Sequence, residues 1–146
     1  MGLFDFLSRK KEQGVAHQAD AYQRIAQEMI NSCGMSPSKA LLYAEVEDGV
    51  ISADLFFQQS AKGVVRFRFA PEPLRSHIYR FWEDGEEKVA PRSWVTLLFL
   101  VEGGRFSSEL TYPDQLNSNE GLEDRRPRVI AEYFPGLQID YSKPHG

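Results

Sequence analysis

The stretch that decides the fold runs from Trp94 to Asp114, WVTLLFLVEGGRFSSELTYPD. Two runs rich in β-branched and aromatic residues flank Glu102-Gly103-Gly104, which is the strongest β-hairpin signal in the chain. Apolar side chains occupy both alternating faces of the first run, so this strand is predicted to be central and covered on both sides. The second run, 105–112, alternates more cleanly, which is typical of a strand with one face nearer water. The sheet is therefore predicted to be built around this hairpin.

A second hairpin is predicted upstream, over residues 39–60, with its turn at Asp48-Gly49. Tight turns that match the twist of paired strands need positive φ, which the Asp-Gly pair tolerates. After another turn at Lys62-Gly63, apolar and basic side chains alternate over residues 65–69 and predict a third strand. Because short turns join the three strands, we expect an antiparallel meander.

Three segments have the three-and-four spacing of apolar residues that is typical of a helix packed on one side. They run from about Glu12 to Cys33, over residues 71–85, and from Glu123 to Phe134, and each is closed by a glycine. The tail beyond the third helix is predicted to add an edge contact at Leu137 and Ile139 and then to become disordered.

The resulting order of elements, α-β-β-β-α-β-β-α, predicts an α+β fold in which an antiparallel sheet of about five strands packs against helices. The length of 146 residues and the apolar content of 42% suit one domain with a real core. We divide the chain into an amphipathic and basic N-terminal extension (1–12), a single domain (13–137) and a C-terminal tail (138–146).

The sequence predicts a cytoplasmic protein. Cys33 is its single cysteine, which excludes an intramolecular disulfide. No secretory signal is recognised, and no apolar run approaches the roughly 20 residues that cross a bilayer, so we expect no stable membrane association. The opening MGLFDFLSRKK is apolar and then basic. A short amphipathic turn is the favoured interpretation of this opening, and a reversible interfacial anchor is the alternative.

No catalytic or metal-binding pattern is recognised. His17, His77 and His145 are far apart, and none lies at ligand spacing from Cys33. Gly103-Gly104 lies between two strands rather than before a helix, so it predicts a hairpin turn and not a phosphate-binding loop. We therefore expect no catalytic residue, no cofactor and no metal, and we interpret Cys33 as a small core residue and His77 as a boundary residue.

Acidic side chains are concentrated in three parts of the sequence, and the formal net charge is −4. These parts are the first hairpin, the end of the second helix with its loop, and the segment before the third helix. A solvated face is the simpler interpretation of any one residue, but together the clusters could form a surface for a basic partner rather than for nucleic acid. Tyr79, Trp82 and Trp94 are candidate aromatic anchors, with core packing favoured for both tryptophans. The candidate partner-binding residues are Glu45, Glu47, Asp54, Glu83, Asp84, Glu86, Glu87, Asp114, Glu123 and Asp124.

Several of these features occur in the order and spacing of a known family. The matching parts are LLYAEVEDG, YRFWEDG, the pattern W-x-x-L-x-F-x-x-x-x-G-x-F over 94–106, Tyr112-Pro113-Asp114, and an ending with Arg125-Arg126, Glu132-Tyr133 and Gly136. Over residues 20–137 the chain resembles the YezG-like (EsaG-like) immunity proteins, a family of antitoxins. It departs from the family in a poorer acidic run after the tyrosine and in having Ile130-Ala131 where a tryptophan is expected, so toxin-facing residues are not carried over.

The resemblance implies a cytoplasmic antitoxin that binds a cognate secreted nuclease toxin stoichiometrically and neutralises it. Carboxylates would steer the toxin and pair with its lysines and arginines. Two alternatives stay open: an interaction or adaptor domain for an unrelated partner, and a small-molecule enzyme whose site is scattered in sequence. The enzyme would require a deep polar pocket with converging titratable groups. An edge strand could also pair two copies into a homo-oligomer.

Overall fold

The computed structural model describes residues 15–34, 36–88, 94–117 and 119–141, and for 15–19 and 85–88 it describes the backbone alone. The elements of this part of the chain are α1 (Val15–Cys33), β1 (Lys39–Glu47), β2 (Val50–Gln58), β3 (Val65–Phe69), α2 (Glu72–Lys88), β4 (Thr96–Glu102), β5 (Arg105–Thr111), α3 (Leu122–Tyr133) and β6 (Ile139–Asp140). A short 3-10 helix, Pro113–Gln115, lies between β5 and α3. The predicted α+β fold and the predicted order of its main elements are confirmed. The predicted N-terminal extension lies outside the described residues.

The six strands of the described chain form one sheet in the order β5-β4-β1-β2-β3-β6. Neighbours from β5 to β3 are antiparallel, whereas β6 is parallel to β3 and pairs with it at Val65 and Arg66. This pairing confirms the predicted edge contact at Ile139 and carries the sheet into the segment that was predicted as a tail. The hairpin turns Asp48-Gly49 and Gly103-Gly104 have positive φ throughout, as turns that match the strand twist require.

The two middle strands of the sheet are β1 and β2, and the first strand of the 94–114 hairpin, β4, is an inner strand one place from the edge. β4 lies next to β1 and is followed by β5 at the margin of the sheet. Residues 40–45 of β1 are all buried, because α1 and α2 cover one face of the sheet and α3 covers the other. On β4, Leu98 and Leu100 lie on the α3 side and stay partly exposed. The sheet is therefore organised around the 39–58 hairpin, which the 94–114 hairpin extends.

The sheet separates a large apolar core from a smaller one. The large core lies under α1 and α2 and includes Trp94, whose ring centroid is 5.9 Å from that of Phe81. Trp82 is half-buried, and its indole N–H donates to the carbonyl oxygen of Trp94 at 3.1 Å. Core packing is thus confirmed for Trp94. The small core lies under α3 and contains Leu41, Phe56, Val65, Ile130 and Phe134.

The second helix is longer than predicted. It continues through Gly85 to Lys88, whereas Gly85 was expected to end it. A glycine inside a helix costs about 1 kcal/mol relative to alanine but does not stop the helix by itself, and the next proline in the sequence is Pro91. His77 is half-buried on this helix, in agreement with its interpretation as a boundary residue. None of the described helices is both long enough and apolar enough to cross a membrane.

Cys33 is a buried residue of the large core, as predicted. Its thiol donates to the carbonyl oxygen of Met29 at 3.2 Å, and 6% of the residue is exposed. Burial raises the pKa of the Cys33 thiol from 9.0 to about 12, because the thiolate is disfavoured away from water, and the nearby positive charge of Arg68 offsets part of this effect.

The raised pKa of Cys33 predicts a loss of stability at alkaline pH. The thiol has a higher pKa in the folded protein than in the unfolded chain, so its contribution to the free energy of unfolding is fully present below about pH 9. Above pH 9 the unfolded chain loses the thiol proton first, and this contribution is lost as the pH rises toward 12. The slope from this single group is at most about 1.4 kcal/mol per pH unit. Urea unfolding between pH 8 and pH 10.5 (roughly the lower half of that window) gives the free energy of unfolding at each pH. This free energy should fall less steeply with pH in Cys33→Ala than in the parent protein. An equal fall in both proteins would exclude the contribution of Cys33, since the tyrosines titrate alike in both.

Candidate functional site

The face of the sheet under α3 is apolar at one end and polar at the other. The strand register defines three rows across this face. The rows are Ser107-Leu100-Leu41-Phe56-Phe67, then Glu109-Leu98-Tyr43-Asp54-Phe69, then Thr111-Thr96-Glu45-Ser52. The buried members of the second and third rows include polar and ionisable side chains, so α3 covers a polar surface here rather than an ordinary core.

Glu45 forms a buried ion pair with Arg125 of α3. The side chains of Glu45 and Arg125 are only 7% and 11% exposed, and the guanidinium binds both carboxylate oxygens through Nη2 and Nε. The hydroxyl of Tyr43 donates to Glu45 Oε2 at 2.8 Å. Burial and then the bond to Glu45 raise the pKa of Tyr43, and the bond to Glu45 raises the pKa of Arg125. The phenol therefore stays protonated and the guanidinium stays charged at neutral pH.

Asp54 forms a second ion pair with the next residue of α3, Arg126, whose side chain is 38% exposed. Arg126 Nη1 donates to Asp54 Oδ2 at 2.7 Å, and the Asp54 side chain is 4% exposed. The prediction that Glu45 and Asp54 belong to an exposed acidic surface is therefore wrong. Strand alternation correctly places them opposite the face that carries Leu42 and Leu55, but it does not say what covers their own face. Here α3 covers it and supplies an arginine for each carboxylate.

A polar cleft opens beside these pairs, between β4, β5 and α3. This β5–α3 cleft has a volume of about 270 Å³, and its polar lining includes Tyr43, Thr96, Glu109, Thr111, Gln115, Glu120, Arg125, Arg128, Glu132 and Tyr133. Arg128 Nε and Nη2 donate to the two oxygens of Glu120, both at 2.9 Å. Hydrogen bonding to Arg128 lowers the pKa of Glu120. The main-chain oxygen of Glu120 also accepts from Arg125, so the loop before α3 is tied to that helix at two points.

The topology brings several of the predicted acidic residues to one end of the sheet. β1 and β5 run in the same direction, because β4 lies between them and is antiparallel to both. β1 and β5 therefore finish at the same end of the sheet. The 3-10 helix after β5 lies at this end, and so does the first turn of α3, because Arg125 pairs with Glu45. We call this end the acidic end. Its exposed carboxylates are Glu47, Asp48, Asp114, Glu123 and Asp124.

The carboxylates of α2 are divided between different surroundings. Glu83 shares a cleft of about 460 Å³ with Gly49 of the β1–β2 turn and the first two residues of β2, and Arg75 and Arg80 also line this cleft. Asp84 lines a different cleft, between α1 and α2. The side chains of Glu86 and Glu87 lie outside the described part of the structure. Glu83 is thus near the acidic end, while Asp84 is turned toward α1.

The β5–α3 cleft was not predicted, although the sequence contains a signal for it. Arg125, Arg128, Val129 and Glu132 recur at the i, i+3, i+4 and i+7 spacing that places residues on one face of a helix. All four line the cleft. A stripe at this spacing in which three of four residues are charged indicates a helix that packs on a polar surface. Glu109, on the strand that was expected to be nearer water, completes the cleft from the opposite side.

Exposed aromatic side chains lie at the far edge of the same sheet face. Phe69 and Tyr141 are 73% and 60% exposed, and both contact the ring of Phe67, at 4.9 Å and 5.2 Å between centroids. Tyr79, one of the three candidate anchors, is 43% exposed on α2. Of the predicted anchors, Tyr79 is thus the most accessible, whereas Trp94 is buried.

Comparisons with known proteins do not assign a family. No family model matches the sequence, and no curated protein matches it. Within the described ranges, no group of three or more His, Cys, Asp and Glu side chains is arranged to hold a metal ion. The resemblance to the YezG-like immunity proteins remains a prediction.

Proposed function

We propose that this protein binds and neutralises a basic protein partner, and that the partner is a secreted nuclease toxin of the kind implied by the YezG-like resemblance. The observation that carries the proposal is the acidic end, where exposed carboxylates from three separate segments meet. They lie at the end of β1, on turns and at helix ends that are connected to a six-stranded sheet. A rigid array of like charges attracts a basic partner and selects against an acidic one.

The proposed mechanism is competition for the surface with which the nuclease binds nucleic acid. A nuclease contacts phosphates through lysine and arginine, and these contacts supply much of its affinity. Carboxylates presented at fixed positions would pair with the same side chains and exclude the substrate. Long-range attraction raises the association rate, and it weakens with salt because charges are screened over about 8 Å at physiological ionic strength.

The direct test is co-expression with a nuclease encoded beside this gene. We expect the two proteins to co-purify in a stoichiometric complex and the nuclease to lose activity in that complex. A demonstrated nuclease that neither binds this protein nor is inhibited by it would contradict the toxin assignment. Binding to an unrelated partner without any effect on a nuclease would favour the adaptor alternative.

Single charge reversals test whether the acidic end is the binding surface. Glu47→Lys and Glu123→Lys should each lower the association rate about tenfold at low salt, because each replaces a steering charge with its opposite. Glu102→Lys is the matched control, since Glu102 is exposed and lies at the other end of the sheet. Stopped-flow or surface plasmon resonance measurements at two salt concentrations give these rates.

Equal effects of all three reversals would mean that only net charge matters, and no effect of any would make the acidic end a solvated face.

The same series at Glu83, Asp84, Glu86 and Glu87 tests the carboxylates of α2. Because Asp84 lines the cleft between α1 and α2, its reversal should affect the association rate less than reversal of Glu83.

The β5–α3 cleft is assigned to binding as well. It brings titratable groups together, as the enzyme alternative requires, but in the described hydrogen bonds of its arginines and of Tyr43 the acceptors are carboxylates and one carbonyl oxygen. A nucleophile paired with a general base would indicate catalysis, and the described lining residues form no such pair. Its groups are suited to recognising a charged ligand.

A further inference from the structure

We propose that the β5–α3 cleft binds a guanidinium group, supplied by an arginine side chain of the protein partner. The source of the guanidinium rests on the proposed function, whereas the chemistry of the cleft does not. Three features of the cleft lead to this ligand: an excess of carboxylates over arginines, a threonine side chain without a hydrogen-bond partner in the described chain, and a size suited to one side-chain head group.

Carboxylates outnumber arginines among the charged groups in and beside the cleft. Arg125 is paired with Glu45, and Arg128 is paired with Glu120 while its charge also acts on Glu132. Among the described residues, Glu109 and Glu132 take part in no ion pair or hydrogen bond. Both stand close enough to the phenol of Tyr133 for their charges to add to burial in raising its pKa. The cleft is therefore negative where β5 faces α3, and it favours a cation.

The side chain of Thr96, at the floor of the cleft, is the second and independent feature. Thr96 is 5% exposed and lines the cleft, and its side chain has no hydrogen-bond partner in the described parts of the chain. Thr111, directly opposite Thr96 in the strand register, lines the same floor. A ligand N–H entering the cleft would supply the hydrogen-bond partner that the Thr96 hydroxyl lacks within the described chain.

A guanidinium fits this arrangement better than an ammonium. It is planar, carries five N–H donors in a fixed fork, and is less strongly hydrated, so it can serve two carboxylates and a hydroxyl at once. An ammonium has three donors around one point and loses more hydration on entering a cleft. The volume of about 270 Å³ admits one such group together with part of its aliphatic chain.

The test uses the protein alone and N-acetyl-arginine amide as the probe. In an NMR titration followed by amide shifts, we expect saturable changes in β5 and α3 at millimolar probe, with a weaker response to N-acetyl-lysine amide and none to the neutral isostere N-acetyl-citrulline amide. Glu109→Gln and Glu132→Gln should each weaken binding about threefold, as for partly exposed ion pairs. Glu102→Gln, an exposed carboxylate outside the cleft, should leave it unchanged.

Absence of saturable shifts, an equal response to citrulline, or equal loss in Glu102→Gln would overturn the proposal. Thr96→Val keeps the shape of the side chain and should also weaken the probe, and thermal unfolding of each variant separates this effect from misfolding. If the probe binds and no nuclease complex forms, the proposed function fails and the site stands. If a nuclease binds with the same affinity to Glu109→Gln and Glu132→Gln, its arginine does not occupy the cleft, and that part of the proposal is wrong.

Discussion

Replacing Arg125 with methionine is expected to destabilise the protein by about 3–5 kcal/mol, because the Glu45 carboxylate would stay buried without its counter-charge. Both side chains of this pair are about nine-tenths buried, and the Tyr43 hydroxyl donates a hydrogen bond to the same carboxylate. Such a loss is a large fraction of the 5–15 kcal/mol that typically holds a domain together. Urea unfolding followed by circular dichroism measures it.

Two comparisons separate this effect from a general loss of an arginine. Arg24 pairs with Asp20 at 3.1 Å, but the two side chains are 59% and 57% exposed, so Arg24→Met should cost less than about 1 kcal/mol. The double variant Glu45→Leu with Arg125→Met removes both buried charges and should recover most of the lost stability. Equal losses of unfolding free energy for Arg125→Met and Arg24→Met would show that the buried pair contributes no more to stability than the exposed one.

Replacing Phe99 with alanine is expected to cost about 3–5 kcal/mol through the cavity that it leaves. Phe99 lies on β4 with no exposed surface, and its ring joins α1 to β5, 5.8 Å from Tyr22 and 5.4 Å from Phe106. The surrounding helix and strands are anchored elsewhere, so they cannot collapse fully into the space. Chemical denaturation should show a lower midpoint with an unchanged slope.

Phe69 provides the matched control for the same substitution. It is 73% exposed at the sheet edge, and Phe69→Ala should change the free energy of unfolding by less than about 1 kcal/mol. A large loss in Phe69→Ala would mean that the exposed aromatic residues of β3 and β6 contribute to the core. A small loss in Phe99→Ala would contradict the assignment of β4 to the large core.

Much of the fold could be predicted because local rules govern it. Alternation along 39–60 and 94–112 identified the strands, and positive-φ turns at Asp48-Gly49 and Gly103-Gly104 identified the hairpins. Each of these features depends on residues that are neighbours in the chain. The end of α2 was missed because a glycine is permitted in a helix at a modest cost, and the local pattern does not show what compensates it.

The candidate site could be predicted only in part. Glu45 and Glu47 are two positions apart on one strand and look alike in the sequence, yet one is buried against Arg125 and the other is exposed. The difference arises because α3, 80 residues away in the chain, covers Glu45 and not the turn beyond it. A local pattern carries no information about a contact at that distance.

The difference between what the sequence determines and what the tertiary structure decides follows from the distance along the chain over which each interaction acts. Backbone preferences and the spacing of apolar side chains act over a few residues, and they suffice to determine the helices, the strands, the turns and the apolar face under α1 and α2. The placement of α3 depends on pairing between side chains that are distant in sequence. That packing encloses Glu45 and Asp54, and it brings Glu109 of β5 and Glu132 of α3 into the lining of the same cleft.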